Sequence, residues 1–120
     1  RINGDSGSNY RSHRLFGSGS TLYSQVTSYL TSLSLDRIPG STADSNLFST
    51  NTFDIFDWND TNKTTSVRGN IAGYFTSSVN EVGFIYGGYF QTGAVNSLQF
   101  QTAGDNYATG TTISLYGVKG

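Results

Sequence analysis

The chain is predicted to be all-β, an antiparallel β-sandwich of jelly-roll-like order, and three observations carry that reading. Apolar residues alternate at period two in short runs and seldom recur at the three-four spacing of a helix. β-branched and aromatic types dominate those runs. Gly, Asn or Pro-Gly signals break every longer window into strand-sized pieces.

Residues 10–16 (YRSHRLF) read as the first strand, ended by GSGS. Residues 22–38 hold apolar positions at Leu22, Val26, Tyr29, Leu30, Leu33, Leu35 and Ile38, enough for one good strand and one irregular stretch before the Pro39-Gly40 turn. Residues 52–58 (TFDIFDW) place Phe53 and Ile55 on one face and Asp54, Phe56 and Trp58 on the other, so both faces call for cover. NDTNK is a turn by composition and returns the chain through residues 64–75 as a hairpin. Residues 81–91 alternate Val82, Phe84 and Tyr86 against Ile85, with Gly87-Gly88 marking a bulge or a close backbone approach.

The patterns of residues 96–102 and 111–118 pair Leu98 and Phe100 with Ile113 and Leu115, which predicts a closing hairpin. About seven or eight short strands with no helix favour two packed antiparallel sheets. Phe53, Phe84 and Phe100 are expected to fill the space between them, with tyrosines at the margin.

At 120 residues the chain is one domain, too short for two independent cores. Hydrophobic residues make up 35% and charged residues 12%, so hydroxyls and amides supply solubility, while 14% aromatics allow a buried core. A net charge of -1 with seven Lys and Arg leaves no basic footprint for nucleic acid. Without cysteine there is neither a disulfide framework nor a thiolate metal site. No apolar run approaches the roughly 18 residues of a membrane span. The opening RINGDSGSNY lacks the charged start and apolar middle of a signal peptide and begins without Met, so the chain is expected to be a cut piece or processed segment of a longer protein.

Chemistry-bearing constellations are sparse. Asp54, Asp57 and Asp60 form the one dense carboxylate cluster, but the EF-hand spacing is absent and carboxylates on opposite strand faces cannot all reach one ion. A glycosidase needs two facing carboxyl groups, for which Asp57 with Asp36 or Glu81 is a formal pair without a supporting motif. The single histidine, His13, lies in a strand pattern with no nucleophile elbow elsewhere, and reads as a surface or sheet-packing residue. No catalytic residue, metal ligand or cofactor is assigned. The sequons at Asn59 and Asn62 arise readily in an Asn/Thr-rich chain and are given no role. Amphipathic rings are the more informative group, because they stack on sugars or anchor interfaces. Trp58, Tyr86 and Tyr89, with Asp57 and Asn59 beside the tryptophan, are the candidate ligand-binding residues.

The two ends carry a further pattern. INGDSGSNYRSHRLFGSGS at the start and GDNYATGTTISLYGVKG at the close resemble the brackets of a module in bacteriophage virion proteins, whose patterns run NY..HRL.G.GS and G.NFA.GS.I.LYGIK. The matching positions are Asn9-Tyr10, His13-Arg14-Leu15 and Gly17, then Gly104, Asn106-Tyr107-Ala108, Gly110, Ile113 and residues 115–119. Tyr107 and Val118 stand where the pattern has Phe and Ile. The IPG of residues 38–40 and FDIFDWNDTNKTTSVRG of residues 53–69 extend the likeness into the middle.

The resemblance implies a virion surface module, such as a tail-fibre or appendage domain acting in host attachment. Its expected partners are other virion proteins, its own copies in a homotrimer, and a host-surface glycan or protein receptor. It implies no catalytic residues. The alternatives are a capsid decoration or fibre-forming protein with a purely structural role and, ranked last, a carbohydrate-active enzyme domain.

Overall fold

Five of the alternating segments form strands in the computed structural model, which describes every residue except 36, 77–78, 103, 105 and 119–120. They are β1 (Tyr10–Ser18), β2 (Thr21–Leu30), β3 (Ser49–Phe56), β4 (Thr64–Thr76) and β5 (Val79–Thr92). The order across the sheet is β2-β1-β5-β4-β3, and every neighbouring pair is antiparallel. A hairpin of β1 and β2 and a meander of β3, β4 and β5 are thus joined through the β1–β5 ladder. The all-β reading holds. A sandwich is not confirmed, because the strands of the described residues belong to one sheet.

Local chemistry explains the boundaries. Ser18 pairs with Thr21 across a two-residue turn in which Gly19 takes φ 57, the left-handed conformation that such hairpin turns require. β3 stops at Phe56 because Asp57 takes φ 55 and Asp60 N donates to Asp57 O at 3.2 Å. Trp58 therefore lies in the turn and not in the strand as expected. Asn62 N donates to Asp60 Oδ1 at 2.8 Å, an Asx turn that completes the reversal.

The expected closing hairpin does not form among the described residues. Leu98 instead bridges Ile2, flanked by Asn3 N to Ser97 O at 2.9 Å and Gln99 N to Arg1 O at 2.8 Å. Residues 111–118 join no strand. The N-terminal segment is the partner that the alternation of residues 96–102 could not reveal.

Irregular chain takes the place of a second sheet. β2 and β3 are opposite edges, and the connection between them meets the core side through Leu33, which packs on the Tyr10–Tyr89 cluster, and Arg37, which reaches Glu81. Leu33 sits where a Cβ on Gly87 would stand 2.4 Å from its Cδ1, so the close backbone approach read at Gly87-Gly88 is real at Gly87. The ladder runs unbroken through both glycines, and its two shifts fall elsewhere, between Thr64 and Thr65 and between Tyr74 and Thr76. A second clip ties the cover together: Gly40 bridges Tyr107, with Ser41 N to Asn106 O at 2.8 Å and Ala108 N to Pro39 O at 3.2 Å.

The inner face buries Val67, Ile71, Ile85 and Phe75, and at one end Ile2, Tyr10 and Tyr89 pack with Leu30, Leu33, Val95 and Leu98. Each aliphatic side chain so buried contributes about 1.5–3 kcal/mol. The expectation for the aromatics holds in part: Phe53 is half-buried on the core side and most tyrosines are exposed, but two phenylalanines and two tyrosines have changed places. Phe84 and Phe100 are exposed, while Tyr10 is fully buried and Tyr89 nearly so. Tyrosine can occupy this core because its hydroxyl is satisfied there. Tyr10 Oη accepts from Ile2 N at 3.1 Å and donates to the carbonyls of Ile2 and Asp5, and Tyr89 Oη donates to Asp5 Oδ2 at 3.0 Å.

Glu81 is a buried acid on this face, with Arg14 beside it on the same side of the sheet. Its side chain is 4% exposed and meets Arg14 at 3.0 Å and Arg37 at 3.4 Å, which offsets the cost of its burial.

Candidate functional site

Among the described residues the face opposite the core carries no covering chain, and the ladder registers show what it presents. Opposed residues of antiparallel strands point to the same side. Val26, His13, Tyr86, Arg68 and Asp54 therefore stand side by side across all five strands. The next row is Ser24, Leu15, Phe84, Asn70 and Thr52, and the one beyond it Leu22, Gly17, Val82, Ala72 and Thr50.

Val82, Phe84 and Tyr86 are 65%, 64% and 57% exposed, and Leu15, Leu22 and Val26 are exposed beside them. Apolar side chains thus fill the β2–β1–β5 half of the face, and polar ones the β4–β3 half. A contiguous exposed patch of this kind on a small domain marks a contact surface.

Specific contacts fix its polar side chains. Arg68 Nη2 lies 2.9 Å from Asp54 Oδ2, and its guanidinium stands over the Phe56 ring at 5.2 Å. Tyr86 Oη donates to Ser66 Oγ at 3.3 Å. At the end of the sheet near Tyr10, Arg11 lies between two rings, 5.0 Å from the centroid of Tyr29 and 4.9 Å from that of Phe90. Tyr29 takes φ 59 where the β1–β2 register slips, a conformation costly for an aromatic residue and here accompanied by the guanidinium contact.

Two shallow depressions flank Phe84. One is lined by Thr52, Asn70, Ala72 and Val82, the other by His13, Leu15, Ser24, Arg68 and Tyr86. Both are open, unlike the clefts that enclose most of a small molecule. Their shape suits an extended partner lying across the sheet.

The candidate residues from the sequence are distributed over three places. Asp57, Trp58 and Asn59 share the β3–β4 turn, where Trp58 is exposed, Val95 N donates to its carbonyl at 2.7 Å, and Lys63 bridges Asp57 at 3.2 Å and Asp60 at 3.3 Å. Tyr86 is at mid-strand on the open face, with the Phe56, Ser66 and Gly88 rung between its row and that turn. Tyr89 points the other way, into the core, with its hydroxyl on Asp5, and takes no part in the open face.

Of the carboxylates weighed for chemistry, Asp54 pairs with Arg68, Asp57 and Asp60 pair with Lys63, and Glu81 is buried on the core side. Asp36 lies outside the described residues. Among the described residues no group of three or more His, Cys, Asp or Glu is placed to hold a metal ion, and no helix is long and apolar enough to cross a membrane.

Sequence reasoning missed Leu15, Phe84 and Arg68 as members of this surface, while His13, read as a surface or sheet-packing residue, is exposed on it. The alternation of Val82, Phe84 and Tyr86 was visible, but Phe84 was assigned to the core while Tyr86 was a candidate contact residue. The signal that reverses the assignment is the glycine spacing. Gly83 and Gly87 share a side with Ile85, and at Gly87 the bare backbone lets Leu33 of the covering chain approach.

Comparison of the chain with family models, with curated proteins and with solved structures finds no match.

Proposed function

We propose that the chain is a non-catalytic surface module of a bacteriophage-type virion appendage, acting in host attachment within a homo-oligomer, with the open sheet face as its contact surface. The terminal patterns support the virion setting. The single observation that carries the contact role is the uncovered face with Phe84 and Tyr86 at its centre. Flat rings flanked by His13, Ser24, Asn70 and Arg68 combine stacking area with hydrogen-bonding groups, the pairing that recognises sugar faces and polar protein surfaces. The exposed Trp58 turn lies beyond this patch and is a secondary contact in the same reading.

The test is adsorption. Phe84→Ser with Tyr86→Ser, made in the full appendage, should lower binding to host cells or to arrayed surface glycans at least tenfold without loss of fold by circular dichroism. Adsorption equal to that of the unaltered protein overturns the attachment role.

A second reading, a fibre-forming or capsid-decoration protein, draws on the aliphatic residues of the face, Leu22, Val26, Leu15 and Val82. It predicts that the double substitution releases the chain from the particle and leaves glycan binding without a baseline to lose.

A further inference from the structure

An edge strand exposes unpaired backbone donors and acceptors, and proteins that remain single guard such edges with lysine, proline or inward charge. The two edges of this sheet differ in that respect. β3 carries Asp54 and is followed at once by Asp57. β2, TLYSQVTSYL, has ten residues without one charge or proline, and pairs only with β1. It is also exposed on both faces, with Leu22 and Val26 on the open side and Tyr23 on the other. A long, uncharged, apolar edge of this kind is a template for another strand.

The chain contains a segment that fits it. Residues 111–118, TTISLYGV, have the alternation, β-branched content and lack of charge of a strand. Yet they lie outside the sheet, and every one is exposed, Leu115 at 73% and Tyr116 at 84%. Tyr107 and Ala108 are clipped to Gly40 and Pro39, and Thr111 N closes a turn on Ala108 O at 3.1 Å with Gly110 at φ 90. Beyond that turn, residues 112–118 make no backbone hydrogen bond among the described residues.

We propose that residues 111–118 of one copy add as a strand to the β2 edge of a second copy. Strand addition satisfies both sets of free backbone groups at once and sends alternate side chains to opposite faces. Ile113 and Leu115 then extend the apolar half of the open face beside Leu22 and Val26. Tyr116 and Val118 fall on the side of Tyr23. Eight extended residues span roughly 27 Å, which matches most of the length of the ten-residue β2. The contact is heterologous, tail to edge, so it closes a ring of copies if the rotation allows. The proposal builds on the homo-oligomer of the preceding section and not on host attachment.

The test uses the full chain with three single substitutions at exposed positions. Val26→Lys disables the edge, Leu115→Lys disables the tail, and Ser45→Lys, on the exposed turn before β3, is the control. Circular dichroism checks the fold, and native mass spectrometry with light scattering reads the assembly. The unaltered chain and Ser45→Lys should assemble alike. Val26→Lys and Leu115→Lys should each weaken assembly at least tenfold, because a lysine on the contact has no partner there. Mixing those two variants should restore a two-chain species, since one supplies an intact tail and the other an intact edge.

A chain that stays single at all concentrations overturns both this contact and the homo-oligomer. An assembly that ignores Leu115→Lys, or a mixture that fails to recombine, overturns the tail-to-edge contact alone.

Discussion

Tyr10 and Tyr89 stack face to face in the core, with ring centroids 5.0 Å apart and planes 29° apart. Asp5 ties both to the N-terminal loop, its carbonyl accepting from Tyr10 Oη and its carboxylate from Tyr89 Oη. That carboxylate also accepts from Gly7 N at 2.6 Å and Asn9 Nδ2 at 2.9 Å. The loop that opens the chain is therefore a folded cap over one end of the inner face.

This arrangement gives stability two pH limits. Burial, and then the hydrogen bond to Asp5, push the Tyr89 phenol up to about 12 from an ordinary 10.0. The folded state then holds this proton more tightly than the unfolded state, so the stabilisation is complete below about pH 10 and is lost as pH rises from about 10 to 12. The hydrogen bond from Gly7 N, followed by that from Asn9, lowers the Asp5 carboxyl below 3.8. Its contribution is present above that unfolded value and is lost as pH falls through the lower folded one. Denaturant midpoints measured across pH should fall on both sides. Asp5→Asn should flatten the acid limb and move the Tyr89 midpoint, read by phenolate absorbance, down from about 12.

Tyr10→Phe keeps the stack and removes the hydroxyl. Ile2 N then loses its acceptor at a buried site, and an unsatisfied buried donor costs about 1–3 kcal/mol. Urea unfolding should show that loss with an unchanged slope. A loss under about 0.5 kcal/mol would mean that water replaces the hydroxyl.

Glycines at two positions of the sheet should behave oppositely. A Cβ on Gly83 would stand 2.5 Å from Leu15 O and 2.6 Å from Phe16 Cβ, so Gly83→Ala must displace β1 backbone and should cost about 1–3 kcal/mol. On Gly17 the nearest atom is Thr21 O at 3.9 Å, so Gly17→Ala meets ordinary contact and should be neutral or slightly stabilising. Thermal melts of the two variants separate these outcomes.

The strands were legible in the sequence because each depends on local alternation and turn chemistry. The pattern around YRSHRLF and the NDTNK turn needed no distant partner to be read. What could not be read was which side of each strand is covered. Val82, Phe84 and Tyr86 are more apolar than Gly83, Ile85 and Gly87, yet the second set faces the core, because Leu33 arrives from a loop far away in sequence. The same limit misplaced residues 96–102, whose partner Ile2 lies at the other end of the chain. Tyr86 and Tyr89 looked like one aromatic group, but their odd spacing and the intervening run put them on opposite faces.

The sidedness itself can be tested at two consecutive residues. Ile85 is 1% exposed on the core face and Phe84 is 64% exposed on the open one. Ile85→Ala should cost about 2–5 kcal/mol, the transfer loss plus the cavity left under the covering loops. Phe84→Ser, although it removes the larger side chain, should stay within about 0.5 kcal/mol for the single chain, because its ring is already largely in water. The same substitution should lower binding of a hydrophobic dye, since it deletes the centre of the exposed patch. A large loss of stability at Phe84 together with a small one at Ile85 would reverse the two faces, and with them the surface assigned to contact.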